Sequence, residues 1–130
     1  MVGVIVPVVK ALYLCEETDV EGGLTNLYGL FDGFRAVAFP HVFREFTCFA
    51  QLRGGLGRVP FHVDVTRADD ALIRNTTVRV LDFPDRVTHL QVVVHIEGCV
   101  FDRPGVYLVE LFCDNTWVAD TTLRLREADA

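Results

Sequence analysis

Cysteine, histidine and carboxylate side chains are the groups in this chain suited to a nucleophile, a metal site or acid–base work. The cysteines, Cys15, Cys48, Cys99 and Cys113, show no CxxC or CxxH spacing that would give a zinc site local support. Each lies in or at the end of an apolar run, as in Phe46-Thr47-Cys48-Phe49-Ala50 and Leu111-Phe112-Cys113. A reactive thiolate needs an exposed, electropositive neighbourhood. These four therefore read as buried free thiols that pack as small hydrophobes. Cys99 and Cys113 flank one hairpin and could face each other, a pair that a reducing compartment keeps open. The histidines, His41, His62, His89 and His95, are scattered. His89 and His95 share a strand face but stand about 20 Å apart along it, too far for one ion. The chain contains no serine, which removes every serine-nucleophile mechanism.

The carboxylates offer little more. Glu16-Glu17 and Asp69-Asp70 fall in turns, where paired acids are ordinarily just solvated. A calcium site would draw on the loop acids Asp69, Asp70, Asp82, Asp85 and Asp114. The loop after Arg67 and the loop after Phe83 belong to opposite ends of an intervening strand, which argues against one cluster. Gly54-Gly55-Leu56-Gly57 lacks the Lys-Ser/Thr and the following helix of a phosphate loop. The sequence thus predicts no catalytic residues, no metal and no cofactor. Recognition through surfaces is what remains.

Strands must position those surfaces. Val, Ile and Thr together number 34 and Phe 10, against one Met, a bias towards β-branched and aromatic side chains that points to an all-β chain. Residues 59–67 give the cleanest alternation, with Val59, Phe61, Val63 and Val65 on one face and His62, Asp64 and Thr66 on the other. Residues 88–97 set Leu90, Val92, Val94 and Ile96 inward, and residues 46–53 set Phe46, Cys48, Ala50 and Leu52 together. Residues 105–114 and 116–126 make a closing hairpin that turns at Asp114-Asn115. Residues 4–16 read as an opening strand and 17–23 as a polar turn. Residues 25–32 form a strand that 34–39 continue or pair with. Residues 40–46 are the one plausible helical turn, from Pro40 and the spacing of Val42, Phe43 and Phe46. Eight or nine mostly antiparallel strands joined by short turn-rich links predict a single β-sandwich over residues 1–130, Ig-like or C2-like. Its expected core is Phe46, Leu52, Phe61, Val63, Val65, Val92, Val94, Ile96, Tyr107, Val109 and Leu111. Trp117 shares its strand parity with Leu123 and Leu125, which predicts a core position for it too.

Length and charge bound the partners. At 130 residues there is room for one domain, and with 51% hydrophobic residues ample material for its interior. The net charge is −6, and the eleven Arg and Lys10 are spread singly, so the basic stripe of a nucleic-acid binder is missing. No apolar run reaches the roughly 18 residues that span a bilayer. Lys10 interrupts the apolar start where a secretory signal would place its charge first. A cytoplasmic protein that binds neither nucleic acid nor membrane is expected.

Several motifs occur in an order found together elsewhere. They are Asn26-Leu27-Tyr28-Gly29-Leu30-Phe31-Asp32, Phe39-Pro40, Ala50-Gln51-Leu52-Arg53-Gly54 and Phe101-Asp102-Arg103-Pro104-Gly105-Val106-Tyr107, followed by a final strand pair. In this the chain resembles, over nearly its whole length, a family of small bacterial all-β proteins of unknown function. The resemblance implies a sandwich fold and a bacterial cytoplasmic setting, and it carries no activity or functional residue. The Phe-x-x-Pro-Gly-x-Tyr pattern also recurs in Ig-like sandwiches, where Pro-Gly turns into the penultimate strand and Tyr packs the core.

Two segments are apolar on both faces. In residues 105–113 the second face carries Val106, Leu108 and Phe112, and the N-terminal run contributes Val4 and Val6 within residues 2–9. A strand with no polar face predicts a cover, supplied by the N-terminal arm or by another subunit. The expected function is a non-catalytic interaction or structural module that self-associates or joins another protein subunit through these residues. The alternative is a sandwich that binds calcium, lipid or carbohydrate through loops at one end.

Overall fold

The computed structural model describes residues 3–69, 71–76 and 78–128. Its strands are β1 (Val8–Cys15), β2 (Glu17–Glu21), β3 (Leu24–Tyr28), β4 (Gly33–Ala36), β5 (His41–Arg53), β6 (Gly57–Arg67), β7 (Leu72–Asn75), β8 (Arg79–Phe83), β9 (Leu90–Phe101), β10 (Gly105–Cys113) and β11 (Thr116–Glu127), with no helix among the described residues. They form three sheets. The first runs β1-β5-β9, the second β4-β11-β10-β6-β7 with β8 also paired to β6, and the third is the β2-β3 ribbon. Every strand pair is antiparallel except β4 with β11. The chain is therefore all-β with more strands, and more sheets, than the sequence pattern resolves.

One core lies between the inner faces of the first two sheets. Leu14, Phe46, Cys48, Ala50, Leu52, Val92, Val94 and Ile96 come from one side. Val59, Phe61, Val63, Val65, Tyr107, Val109, Leu111, Leu123 and Leu125 come from the other. All eleven core residues expected from alternation are buried. Each buried Val, Leu or Phe contributes roughly 1.5–3 kcal/mol relative to exposure. Tyr107 is fully buried, and its hydroxyl donates to the Arg103 carbonyl oxygen at 2.6 Å, with Asp102 Oδ1 3.2 Å away. This anchors the turn that enters β10. The four cysteines are buried free thiols. Burial pushes the Cys48 thiol up to about 12 and those of Cys99 and Cys113 up to about 11.

Several expectations are corrected. Residues 40–46 hold no helical turn: from His41 onward they are β5, paired with β9 as Val42↔Val100, Phe43↔Cys99 and Phe46↔Ile96. Two aromatics and a valine in so short a run fit either period, and the ladder to β9 decides for the strand. Residues 17–21 are a strand, and only Gly22-Gly23 turn, both with positive φ (59° and 79°). Residues 33–36 leave the preceding strand and pair in parallel with the end of β11. Gly33 permits this, since a Cβ there would overlap the Arg124 carbonyl oxygen.

The N-terminal run does not lie over β10. Ile5 pairs with Leu56, Val6 packs against the core, and Val4 sits beside Gly57 at the start of β6. Val106 flanks the opposite end of β6, since Ala68 N donates to its carbonyl oxygen. The expectation for Val2 lies outside the described residues.

Candidate interaction surface

The outer side of β5 is covered from within the chain. Thr47 and Phe49 alternate with core residues and so point away from the core, yet they are 1% and 7% exposed. The β2-β3 ribbon folds against this side: Thr25 Oγ1 donates to Gln91 Oε1 at 2.6 Å, and β2 approaches β5. Thr47 Oγ1 also lies 3.2 Å from His95 Nδ1.

Among the described residues no such ribbon lies against the outer side of the second sheet. Cross-strand register sorts its side chains into rows on β6, β10 and β11. One row is His62–Phe112–Trp117, the next Asp64–Glu110–Asp120, then Thr66–Leu108–Thr122, and finally Val106 beside Arg124. In the first row the imidazole of His62 stacks on Phe112, ring centroids 4.9 Å apart and planes 3° from parallel. Trp117 is 52% exposed beside them, which corrects its expected core position. The cause is a β-bulge. Phe112 pairs with Trp117 while Leu111 pairs with Ala119, so Val118 is an extra residue and the parity of the strand changes there. Ala119, Thr121, Leu123 and Leu125 keep the inward parity, and Trp117 is turned outward.

The acidic row is the electrostatic feature of this face. Asp64, Glu110 and Asp120 stand directly opposite one another, an arrangement that costs roughly 0.2–1 kcal/mol per like-charged pair. Thr66 Oγ1 donates to Glu110 Oε1 at 2.7 Å, which relieves part of it, and the His62 ring lies beside Asp64, Nε2 to Oδ1 3.6 Å. Asp120 is exposed, and the described residues supply it no ion pair.

The residues expected to form an interface are thus divided. Val106, Leu108 and Phe112 share this face, half-buried between their neighbours on β6 and β11. Val4 and Val6 lie at the other end of β6. Trp117 and the acidic row escaped the sequence, because each residue stands alone in its own strand and only register brings them together.

The loop acids serve local structure. Asp69 accepts from Arg67 Nε at 2.8 Å and Arg103 Nη2 at 2.9 Å, and the hydrogen bond from Arg67 holds its carboxyl below the usual range. Asp85 Oδ1 accepts from Thr88 Oγ1 and from the amides of Val87 and Thr88. Among the described residues no three His, Cys, Asp or Glu side chains are grouped to hold a metal. Asp70 lies outside the described residues. No helix of the described residues is long and apolar enough to cross a membrane.

Comparison with known proteins adds the fold and the family. No curated protein matches the chain. Among solved structures it is similar to the Pseudomonas fluorescens alkylpurine DNA glycosylase AlkC bound to DNA containing an abasic site analog, with TM-score 0.54 and 6% identity. That likeness covers 88% of this chain and 30% of the glycosylase, and it is one of fold alone. A family model matches residues 10–126, from within β1 to near the end of β11. The chain belongs to the family that this match describes, a family of unknown function (DUF6941).

Proposed function

We propose that this chain is a non-catalytic interaction module of the cytoplasm, an Ig-like β-sandwich whose open sheet face docks a protein partner presenting arginine or lysine side chains. Two sheets around one core, and a buried tyrosine whose hydroxyl bonds back to the chain four residues upstream, support the Ig-like form. Four buried thiols suit a reducing compartment. The observation that carries the docking is the exposed indole of Trp117 beside Phe112 and His62, one row from three opposed carboxylates.

Large aromatic side chains dominate binding energy at protein interfaces. A cationic side chain entering here relieves the acidic row and stacks on the aromatic faces at once. Charge also separates this partner from the self-association expected from the sequence. Two copies packed about this row would oppose acid to acid, in a chain already at −6.

Trp117 is the one tryptophan, so its fluorescence reports the site directly. An oligo-arginine peptide should give a saturable change in emission that raised salt weakens and that Asp64→Asn with Asp120→Asn removes, while the protein alone scatters light as a 14.6 kDa species. Absence of a saturable change, or its survival in the double variant, would overturn the reading. A dimer mass for the protein alone would replace the basic partner by a second copy.

The exposure of Trp117 also favours one small-ligand alternative, since an exposed ring is the platform a carbohydrate needs. Emission that responds to oligosaccharides and not to the peptide selects that alternative.

A further inference from the structure

The parallel pairing of β4 with β11 opens a groove of about 500 Å³ at the edge of the second sheet, lined by Asp32, Gly33, Arg35, Thr122, Arg124 and Arg126 among others. Its size falls within the range of small-molecule sites. The ladder sets Arg126 opposite Arg35 and Arg124 opposite Gly33. Arg124 and Arg126 are two residues apart on one strand, so they share a face at roughly 7 Å, with the neighbouring strand about 5 Å away. Gly33 contributes no side chain, which leaves the ground in front of Arg124 open. Three guanidiniums therefore converge on one short stretch of an acidic protein.

These guanidiniums are not compensated by paired carboxylates among the described residues. Arg67 and Arg103 are ion-paired, with Asp69 and Asp102 for the first and Asp69 for the second. Among the described residues Arg35, Arg124 and Arg126 have no carboxylate within ion-pair distance. Like charges opposed across a ladder destabilise it, and a bound anion removes that repulsion. Planar guanidinium forks suit phosphate oxygens two at a time, and the Thr122 hydroxyl adds a donor.

We infer that this groove binds the diphosphate group of a small molecule. A diphosphate carries about three negative charges, matching the three guanidiniums. Asp32 in the same lining offsets part of the positive charge, and the acidic row of the same sheet lies about 13 Å further along β11. That row opposes a nucleic-acid backbone running along the sheet and leaves a compact ligand. The site is separate from the aromatic row, about 20 Å away along the strands, and does not depend on what docks there.

Calorimetric titration of the full chain with inorganic pyrophosphate and with a nucleoside diphosphate tests this. Saturable 1:1 binding of either is expected, and the arm that binds more tightly distinguishes the free anion from one carried on an organic group. Arg124→Gln and Arg126→Gln should each weaken binding by about tenfold or more, whereas Arg58→Gln, on β6 and outside the groove, should leave it unchanged. Circular dichroism checks that each variant folds, and Arg35→Gln replaces any that does not. Absence of binding, equal affinity in the groove variants, or tighter binding of a DNA duplex than of either diphosphate would overturn the inference.

Discussion

The outer sides of the two larger sheets are sheltered in different ways. Residues 105–113 lack a polar face and predict a cover, whereas residues 46–53 set Thr47, Gln51 and Arg53 opposite the core series and predict none. On β5 the cover is the β2-β3 ribbon, which leaves Phe49 buried although it points away from the core. On β10 the flanking strands, among the described residues, shelter Val106, Leu108 and Phe112, and a tryptophan stands half exposed beside them. Polarity along a strand therefore does not say what shelters it. The cross-strand neighbours differ too: Gln51 opposite Gln91 beside the ribbon, against Asp64 and Glu110, half-buried, and the exposed Asp120 on the other sheet.

Substitution on each side can break that comparison. Phe49→Ala should cost about 3 kcal/mol in urea unfolding, a full core-like loss for a residue outside the main core. A loss below about 1 kcal/mol would mean that the ribbon is not a true cover. Gly33→Ala should cost about 2 kcal/mol through the overlap with the Arg124 carbonyl and should loosen the β4 edge, seen as faster amide exchange there.

The thiol of Cys48, on the covered strand, gives a pH test. Its pKa is raised in the folded state, so its contribution is complete below pH 9, the ordinary thiol value, and is lost as pH rises towards about 12. Stability should fall above pH 9 by about 1.4 kcal/mol per pH unit for this thiol, and Cys48→Ala should flatten that slope. The smallest effect belongs to the open side: Trp117→Ala should change stability by less than about 0.5 kcal/mol, beside its removal of the docking signal.

The long strands were legible because burial on one face imposes a period of two, as Val59, Phe61, Val63 and Val65 show. The closing hairpin was legible from Asp114-Asn115, which adopt the left-handed φ values of 51° and 58° that such a turn requires. The parallel strand was not, since four residues carry no period and their partner lies about ninety residues away. Nor were the candidate sites. Arginines spread singly along a chain read as no cluster, yet residues 35, 124 and 126 meet through a ladder that only tertiary structure defines. The acidic row is hidden in the same way, one carboxylate per strand.

The extra residue Val118 makes the hairpin a place where counting matters more than chemistry. One residue added to β10 opposite Val118 would close the bulge, give Trp117 the inward parity of Ala119 and send the indole towards a core already filled by Leu111 and its neighbours. Relatives with such an added residue in β10 would thus exchange surface for interior at Trp117 while every letter of β11 stayed the same. Such an insertion in an alignment would be a more direct sign of altered recognition than any substitution on β11.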